Sequence, residues 1–142
     1  RFEGPPRDAY GWDASGAGAR LEQDDAGGRR VALANNGEGE LIYASAVGPV
    51  NEGLYAVQLE TQTRLESGAG RMFLQCIDAN GDWIAVAPDA MGRTLDDTGG
   101  RWRVVRQAVA CPAGTERIRV DLRNGGKGEV AFRQVTLWKL GP

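Results

Sequence analysis

The chain contains no histidine, only two cysteines, and only two lysines, Lys127 and Lys139, beside fifteen arginines. Without histidine there is no imidazole base, no Ser-His-Asp or Cys-His nucleophile and no His-ligated zinc. Two cysteines are too few for a thiolate zinc or iron–sulfur site. No apolar run approaches the roughly 18 residues of a membrane span. These absences remove most routes to catalysis and favour a protein that binds.

The charge balance argues against nucleic acid as a partner. The formal net charge is −2, whereas nucleic-acid-binding domains usually have a high pI. Residues 101–133 nevertheless carry seven arginines and Lys127 against three acids. These basic residues either form ion pairs with acidic neighbours on a sheet surface or offer a footprint for an anionic partner.

Glycine is abundant, at 21 of 142 residues, and it marks turns between short apolar runs. The turn signals are Gly27-Gly28, Asn36-Gly37, Asn80-Gly81, Gly99-Gly100 and Asn124-Gly125-Gly126. Strands are predicted over residues 30–34, 41–47, 54–64, 71–78, 102–111, 116–123 and 129–140. No segment has a helical period beyond a turn or two, and the longest connection, residues 86–98, has room for one short helical turn.

Two of these strands alternate between apolar and polar side chains, which is typical of strands with one face in a core. The apolar members are Tyr55, Val57, Leu59, Ile118, Val120 and Leu122. The polar members are Gln58, Glu60, Gln62, Arg117, Arg119, Asp121 and Arg123. The sequence therefore predicts an all-β protein, a single antiparallel β-sandwich over residues 1–142 with a jelly-roll topology.

The two cysteines, Cys76 and Cys111, do not form a C-x-x-C pair, so redox chemistry is not expected. They form either one disulfide, if the domain is exported, or two buried thiols. The sequence leaves both states open.

Several short motifs, taken in order, resemble those of the galactose-binding-like jelly rolls, in particular the carbohydrate-binding modules appended to bacterial glycanases. Their order and spacing across nearly the whole chain are more specific than any one of them. They are Phe2-Glu3, Gly11-Trp12, Gly53–Val57, Asp78–Gly81, Gly100–Trp102, Cys111–Gly114 and Gly128–Leu137. The resemblance implies a secreted, periplasmic or cell-surface module excised from a larger protein.

The last motif departs from the family's pattern. The family usually has aspartates after the phenylalanine, one of which helps to hold a structural calcium, but here Arg133 and Gln134 follow Phe132. An arginine cannot ligate a cation, and calcium prefers carboxylates and carbonyls to a neutral amide. This departure puts the calcium in doubt, with Glu3 and backbone carbonyls as the ligands that could still hold it.

Sugar recognition in such folds needs an aromatic ring, which packs on the apolar face of a pyranose, and planar polar side chains, which bond to its hydroxyls. Trp83, after the Asn80-Gly81 turn, is the best candidate for the ring. Tyr43 and Phe73 are further candidates, with burial in the core as the competing interpretation for each. Trp12 and Trp102 are interpreted as structural, and Trp138 is expected to face outward, toward a neighbouring domain.

The polar set is predicted from the alternation, on the expectation that the polar strand faces form one concave sheet. Its members are Gln58, Glu60, Gln62, Gln75, Arg119, Asp121 and Arg123. The arginines suit carboxylated or sulfated sugars, because a guanidinium matches a carboxylate in bidentate fashion. The competing interpretation is a solvated sheet with cross-strand ion pairs, such as Glu60 with an arginine.

The leading hypothesis is a non-catalytic carbohydrate-binding module that holds a parent enzyme or surface protein on a polysaccharide or oligosaccharide. It has other domains of the parent protein as neighbours and neither nucleic acid nor membrane as a partner. The alternative is a structural or protein-interaction β-sandwich without a glycan ligand. An enzyme is disfavoured by the absence of histidine, although two carboxylates can hydrolyse a glycoside without it.

Overall fold

The computed structural model describes residues 2–3, 12–14, 19–23, 29–87 and 92–141, and these form twelve strands and no helix. The first six strands are β1 (Phe2–Glu3), β2 (Trp12–Ala14), β3 (Ala19–Gln23), β4 (Arg29–Asn36), β5 (Leu41–Val47) and β6 (Gly53–Ser67). The others are β7 (Gly70–Ile77), β8 (Trp83–Ala87), β9 (Arg93–Leu95), β10 (Arg103–Cys111), β11 (Arg117–Asn124) and β12 (Lys127–Gly141). All seven predicted strands are present, and β1, β2, β3, β8 and β9 are additional.

The strands form two antiparallel sheets. The first sheet has the order β10-β6-β12-β4-β3, with β1 also paired to β12. The second sheet has the order β2-β5-β11-β7-β8, with β9 also paired to β7. Most neighbours are far apart in sequence, so the chain crosses repeatedly between the sheets, as in a jelly roll. The predicted fold class is confirmed.

The apolar sides of the two sheets face each other and form one core. From the first sheet, Val57 and Leu59 on β6 and Phe132 on β12 are fully buried. From the second sheet, Val120 on β11 and Leu74 on β7 pack against them. The predicted alternation of β6 and β11 is thereby confirmed: their apolar residues point inward and their polar residues point outward.

A disulfide joins Cys76 on β7 to Cys111 on β10, with a Cα–Cα distance of 5.7 Å. It connects the second sheet to the first across 35 residues of chain. In the chain-entropy account, closing a loop of that length stabilises the fold by roughly 3–4 kcal/mol. The structure thus decides between the two states that the sequence left open.

The connections also decide two smaller predictions. The Asn80-Gly81 turn closes with hydrogen bonds from Asp78 N to Asp82 O (3.0 Å) and from Gly81 N to Asp78 O (3.1 Å), so this segment is a hairpin turn. In the 86–98 connection, the described residues contain the end of β8 and all of β9 instead of a helical turn. Within the described ranges, no helix is long and apolar enough to cross a membrane.

Candidate functional site

The polar side of the second sheet gathers five of the predicted site residues. We call it the second-sheet face; its side chains come from alternate positions of β7 and β11 and from β8. Gln75 pairs with Arg119 on one side and with Val86 on the other. Trp83 pairs with Ile77, two positions further along β7. Residues that are diagonal across neighbouring strands lie roughly 7–8 Å apart, so Trp83 and Gln75 are within reach of one ligand.

Trp83 is the exposed aromatic residue of this face. Its side chain is 47% accessible, among the highest values for large apolar residues in the described part of the chain. A tryptophan left half in water has little packing role. The turn at 78–82 positions it, because the Asp78 carboxylate accepts hydrogen bonds from the backbone N–H groups of Asn80 (2.9 Å) and Asp82 (3.0 Å).

The two other candidate rings are not exposed. Tyr43 pairs with Leu122 on the inner side of the second sheet and belongs to the core. The prediction of Tyr43 as a surface platform is therefore wrong: the inward alternation of β5 includes it. Phe73 does lie on the second-sheet face, but it is only 3% exposed. Arg123 Cζ lies 4.3 Å from its ring centroid, and a Cβ on Gly92 would come within 2.6 Å of the ring.

Gln75 is the unusual residue of the second-sheet face. It is completely buried, and neither its amide nitrogen nor its amide oxygen has a hydrogen-bond partner among the described residues. Beside it, Arg119 Nη2 forms an ion pair with Asp121 Oδ2 (3.0 Å), while its buried Nε has no hydrogen-bond partner among the described residues. Buried polar groups are nearly always satisfied by protein or by ordered water. Gln75 and Arg119 therefore have three buried polar atoms for which an ordered water is the expected partner.

A network of charges fixes the neighbouring part of the face. Asp121 is fully buried and accepts hydrogen bonds from Arg123 Nε (2.6 Å) and Nη2 (3.3 Å). Glu40 accepts from Arg123 Nη1 (2.7 Å) and from Arg71 Nε (2.9 Å). These bonds join β11 and β7 to the residue that precedes β5, and they engage both oxygens of each carboxylate.

The network also shifts ionisation. Burial by itself would raise the pKa of Glu40, but hydrogen bonds from Arg123 and Arg71 outweigh it and hold the pKa below its ordinary value of 4.5. The pKa of Arg123 is raised, because its bonds to Asp121 and Glu40 outweigh its own desolvation. Asp121 and Arg123 are therefore engaged with each other, and Arg119 and Gln75 are the less committed polar residues of the predicted set.

The other three predicted polar residues lie on the opposite side of the molecule, on what we call the first-sheet face. Each has a protein partner: Gln58 accepts from Arg106 Nε (2.6 Å), Glu60 pairs with Arg133 (3.0 Å), and Gln62 donates to Gly100 O (2.8 Å). The expectation that all seven polar residues share one concave sheet is wrong, because β6 and β11 belong to different sheets. Glu60 forms the cross-strand ion pair that the competing interpretation described.

The remaining tryptophans take three different positions. Trp102 is half-buried, and Arg133 Cζ lies 3.9 Å from its ring centroid, in keeping with a structural role. Trp138 lies at the end of β12, paired with Ala56, and is half-buried. Trp12 is in β2, and its side chain lies outside the described residues.

The positions at which the resembling family holds a structural calcium lie in the middle of β12, at Arg133 and Gln134. Arg133 is engaged with Glu60, and Gln134 has a positive φ of 54° at an irregularity in the pairing with β6. The described residues contain no group of three or more potential metal ligands. The side chain of Glu3 lies outside them, so its role as a ligand stays a prediction.

A pocket that the sequence did not indicate lies between the β5–β6 connection and the end of β12. It encloses about 520 Å³. Its lining consists of Val47, Gly48, Pro49, Val50, Asn51, Tyr55, Leu137, Trp138 and Lys139. The sequence could not indicate this pocket, because its lining comes from three separate segments of the chain. The one related prediction was that Trp138 would face outward.

The two antiparallel sheets and their connections form a jelly-roll β-sandwich, the fold of several carbohydrate-binding modules. No protein-family model and no curated protein matches the chain by sequence. Among solved structures, the CBM22-1 xylan-binding domain of Paenibacillus barcinonensis Xyn10C superposes with a TM-score of 0.64 at 14% identity, over 93% of this chain and 87% of that one. TmCBM61, solved with β-1,4-galactotriose, gives 0.60 at 15% identity, over 95% and 94%.

A third match has a different context. The enzymatically active domain of tailspike protein 4 from bacteriophage CBA120 superposes with a TM-score of 0.72 at 12% identity, over 91% of this chain. This chain spans only 19% of that structure, and 24% of a matching α-L-arabinofuranosidase. The same fold thus occurs both as a separate module and as part of larger proteins.

Proposed function

We propose that this chain is a non-catalytic carbohydrate-binding module that binds a polysaccharide or oligosaccharide along the second-sheet face. One observation carries the proposal: an exposed tryptophan, Trp83, stands beside a buried amide, Gln75, that has no partner among the described residues. An aromatic ring with planar polar groups next to it is the combination that sugar recognition requires.

Each residue has a defined role in this proposal. The indole of Trp83 packs against the apolar C–H face of a pyranose. The Gln75 amide, with two donors and one acceptor oxygen, lies below the surface and bonds to sugar hydroxyls through a water held on it. Arg119, whose side chain is 35% exposed, supplies a guanidinium. Asp121 and Arg123 hold Arg119 and the ring of Phe73 in place.

The charges of the second-sheet face favour an acidic glycan. Arg71, Arg117, Arg119 and Arg123 face outward there, against Glu40 and Asp121. A carboxylated or sulfated sugar chain would complement this excess of positive charge. The disulfide favours an oxidising compartment, which agrees with a secreted, periplasmic or cell-surface module serving a larger parent protein.

The test is a titration of the whole chain against soluble glycans, with neutral galactan and xylan beside polygalacturonate and alginate, followed by calorimetry. We expect binding, strongest to an acidic member. Trp83→Ala should weaken it at least about tenfold, because a stacked ring contributes on the order of 1.4 kcal/mol. Val104→Ala, which trims a 52%-exposed apolar residue on the first-sheet face, is the matched control and should bind normally. A blank across the panel would remove the proposal and leave the structural or interaction module.

A further inference from the structure

The pocket between the β5–β6 connection and the end of β12 has the features of a small-molecule site separate from the second-sheet face. Its volume of about 520 Å³ falls in the roughly 300–1,000 Å³ range of such sites. Its walls are mostly apolar, from Val47, Val50, Leu137 and the half-buried indole of Trp138. A mostly apolar wall with a few converging polar groups is the usual composition of a ligand pocket.

The polar groups of this pocket are held in place by one another. Asn51 Oδ1 accepts from Tyr55 Oη (3.1 Å) and from Lys139 Nζ (2.9 Å), and Asn51 N donates to Tyr55 Oη (3.2 Å). Lys139 Nζ also lies 5.7 Å from the centroid of the Tyr55 ring. An ammonium has three donors, so this bond to Asn51 leaves Lys139 with donors for a ligand.

Gly53 leaves room for the side chain of Lys139. A Cβ on Gly53, whose φ is +155°, would come within 2.5 Å of Lys139 Cε and 2.8 Å of Gly141 O. The absence of a side chain at Gly53 therefore lets the lysine stem lie across the start of β6 and bring its ammonium to Asn51. Among the described residues that line the pocket, Lys139 is the one with a formal charge.

From these contacts we propose that the pocket binds the carboxylate-bearing ring of an acidic sugar, a hexuronate residue. Lys139 pairs with the carboxylate, and the indole of Trp138 and the side chain of Val50 contact the C–H surface of the ring. A neutral sugar would leave the ammonium without its counter-charge, and a simple carboxylate would leave the apolar wall empty. The choice of a sugar as ligand rests on the proposed function, whereas the choice of an anion rests on Lys139.

The experiment uses the whole chain with D-galacturonate, D-galactose and acetate as separate probes. Binding is followed by NMR through the indole N–H of Trp138. We expect a saturable shift with galacturonate, weakened at least about fivefold by Lys139→Gln and retained in Lys139→Arg. Lys127→Gln is the matched control, because Lys127 pairs with Glu66 at the other end of β12, roughly 40 Å away at about 3.3 Å per residue.

Each other outcome overturns the inference. A missing Trp138 shift, an unchanged affinity in Lys139→Gln, or equal binding of galactose would show that the lysine does not select an anion here. Equal binding of acetate would remove the sugar. Trp83→Ala separates the two sites: it should weaken polysaccharide binding on the second-sheet face at least about tenfold, while the affinity for galacturonate, followed through Trp138, stays the same. A blank polysaccharide panel with galacturonate binding intact would therefore defeat the proposed face and leave the pocket.

Discussion

At the scale of single residues, Gln75 carries a cost that only a ligand or water can offset. Its amide is fully buried without a partner among the described residues, and a buried unsatisfied polar group costs about 1–3 kcal/mol. Methionine has nearly the same shape and no amide. We therefore expect Gln75→Met to raise the free energy of unfolding by about 1 kcal/mol, measured in urea, while weakening glycan binding.

Gln62 provides the matched control for that substitution. Its amide donates to Gly100 O at 2.8 Å, so Gln62→Met should lower the free energy of unfolding by about 1 kcal/mol and leave glycan binding unchanged. If Gln75→Met were destabilising and bound glycans normally, its amide would have a structural partner and no place in the site. The opposite signs expected for the two glutamines separate a binding amide from a structural one.

The sequence could predict which side chains of a strand lie on the same face. It could not always predict which of the two faces of that strand points into the core. Period-two alternation placed Val57 and Leu59 inside correctly. It could not distinguish Tyr43 from Phe73, because both are aromatic residues in apolar runs and only the strand's register decides their side. The sequence also could not predict which polar side chains have hydrogen-bond partners. Nothing in it indicates that Gln75 lacks a partner among the described residues while Gln58 has one.

At the scale of elements, Glu40 links three strands of the second sheet through Arg71 on β7 and Arg123 on β11. Its pKa is lower in the folded protein than its ordinary value of 4.5. A group with a lowered folded-state pKa stabilises the protein above that ordinary value and loses its contribution as the pH falls through the folded-state value. The contribution of Glu40 is thus present at neutral pH, begins to decline near pH 4.5 and is lost as the pH falls through the lower folded-state pKa.

Glu40→Gln should therefore cost about 2 kcal/mol of unfolding free energy at pH 7, because hydrogen bonds to charged groups contribute on the order of 1.5–3 kcal/mol. The difference from the unmodified protein should shrink as the pH falls below 4.5. Urea unfolding at pH 7 and pH 3 measures both. Glu38→Gln, an exposed neighbour in the same connection, should have no such effect. A difference that persists at pH 3 would mean that Glu40 acts through packing and not through its charge.

The assignment of strands to sheets was the part of the fold that the sequence could not supply. The motifs and turns placed the predicted strands, but β6 and β11 both showed a clean polar face, and nothing local stated that those faces point to opposite sides of the molecule. Contacts between β6 and β12 or between β11 and β5 join residues that are 60 to 87 positions apart. Such long-range pairing depends on the packing of the whole core and cannot be predicted from the sequence of one strand.

At the scale of the whole molecule, the two outer faces differ in how far their polar groups are committed to the protein. On the first-sheet face, Gln58 and Glu60 are held by Arg106 and Arg133. On the second-sheet face, Arg119 has a buried Nε without a partner among the described residues, and Trp83 stands exposed. A glycan that bound at Gln58 and Glu60 would first have to break these bonds, whereas one that stacked on the exposed ring of Trp83 would break none of them.

Binding of a polysaccharide should therefore be confined to the second-sheet face, apart from a single hexuronate in the pocket at the end of β12. Gln58→Ala and Glu60→Gln are expected to leave glycan affinity within about twofold of the unmodified protein, since neither residue faces the ligand. Arg119→Gln should weaken binding of an acidic glycan by roughly tenfold, the 1.4 kcal/mol expected of one charge-assisted bond, and weaken a neutral glycan less. Calorimetry on the three variants decides this, with near-ultraviolet circular dichroism to confirm that each is folded. Loss of affinity in Gln58→Ala or Glu60→Gln, with Arg119→Gln unaffected, would move the site to the other side of the sandwich.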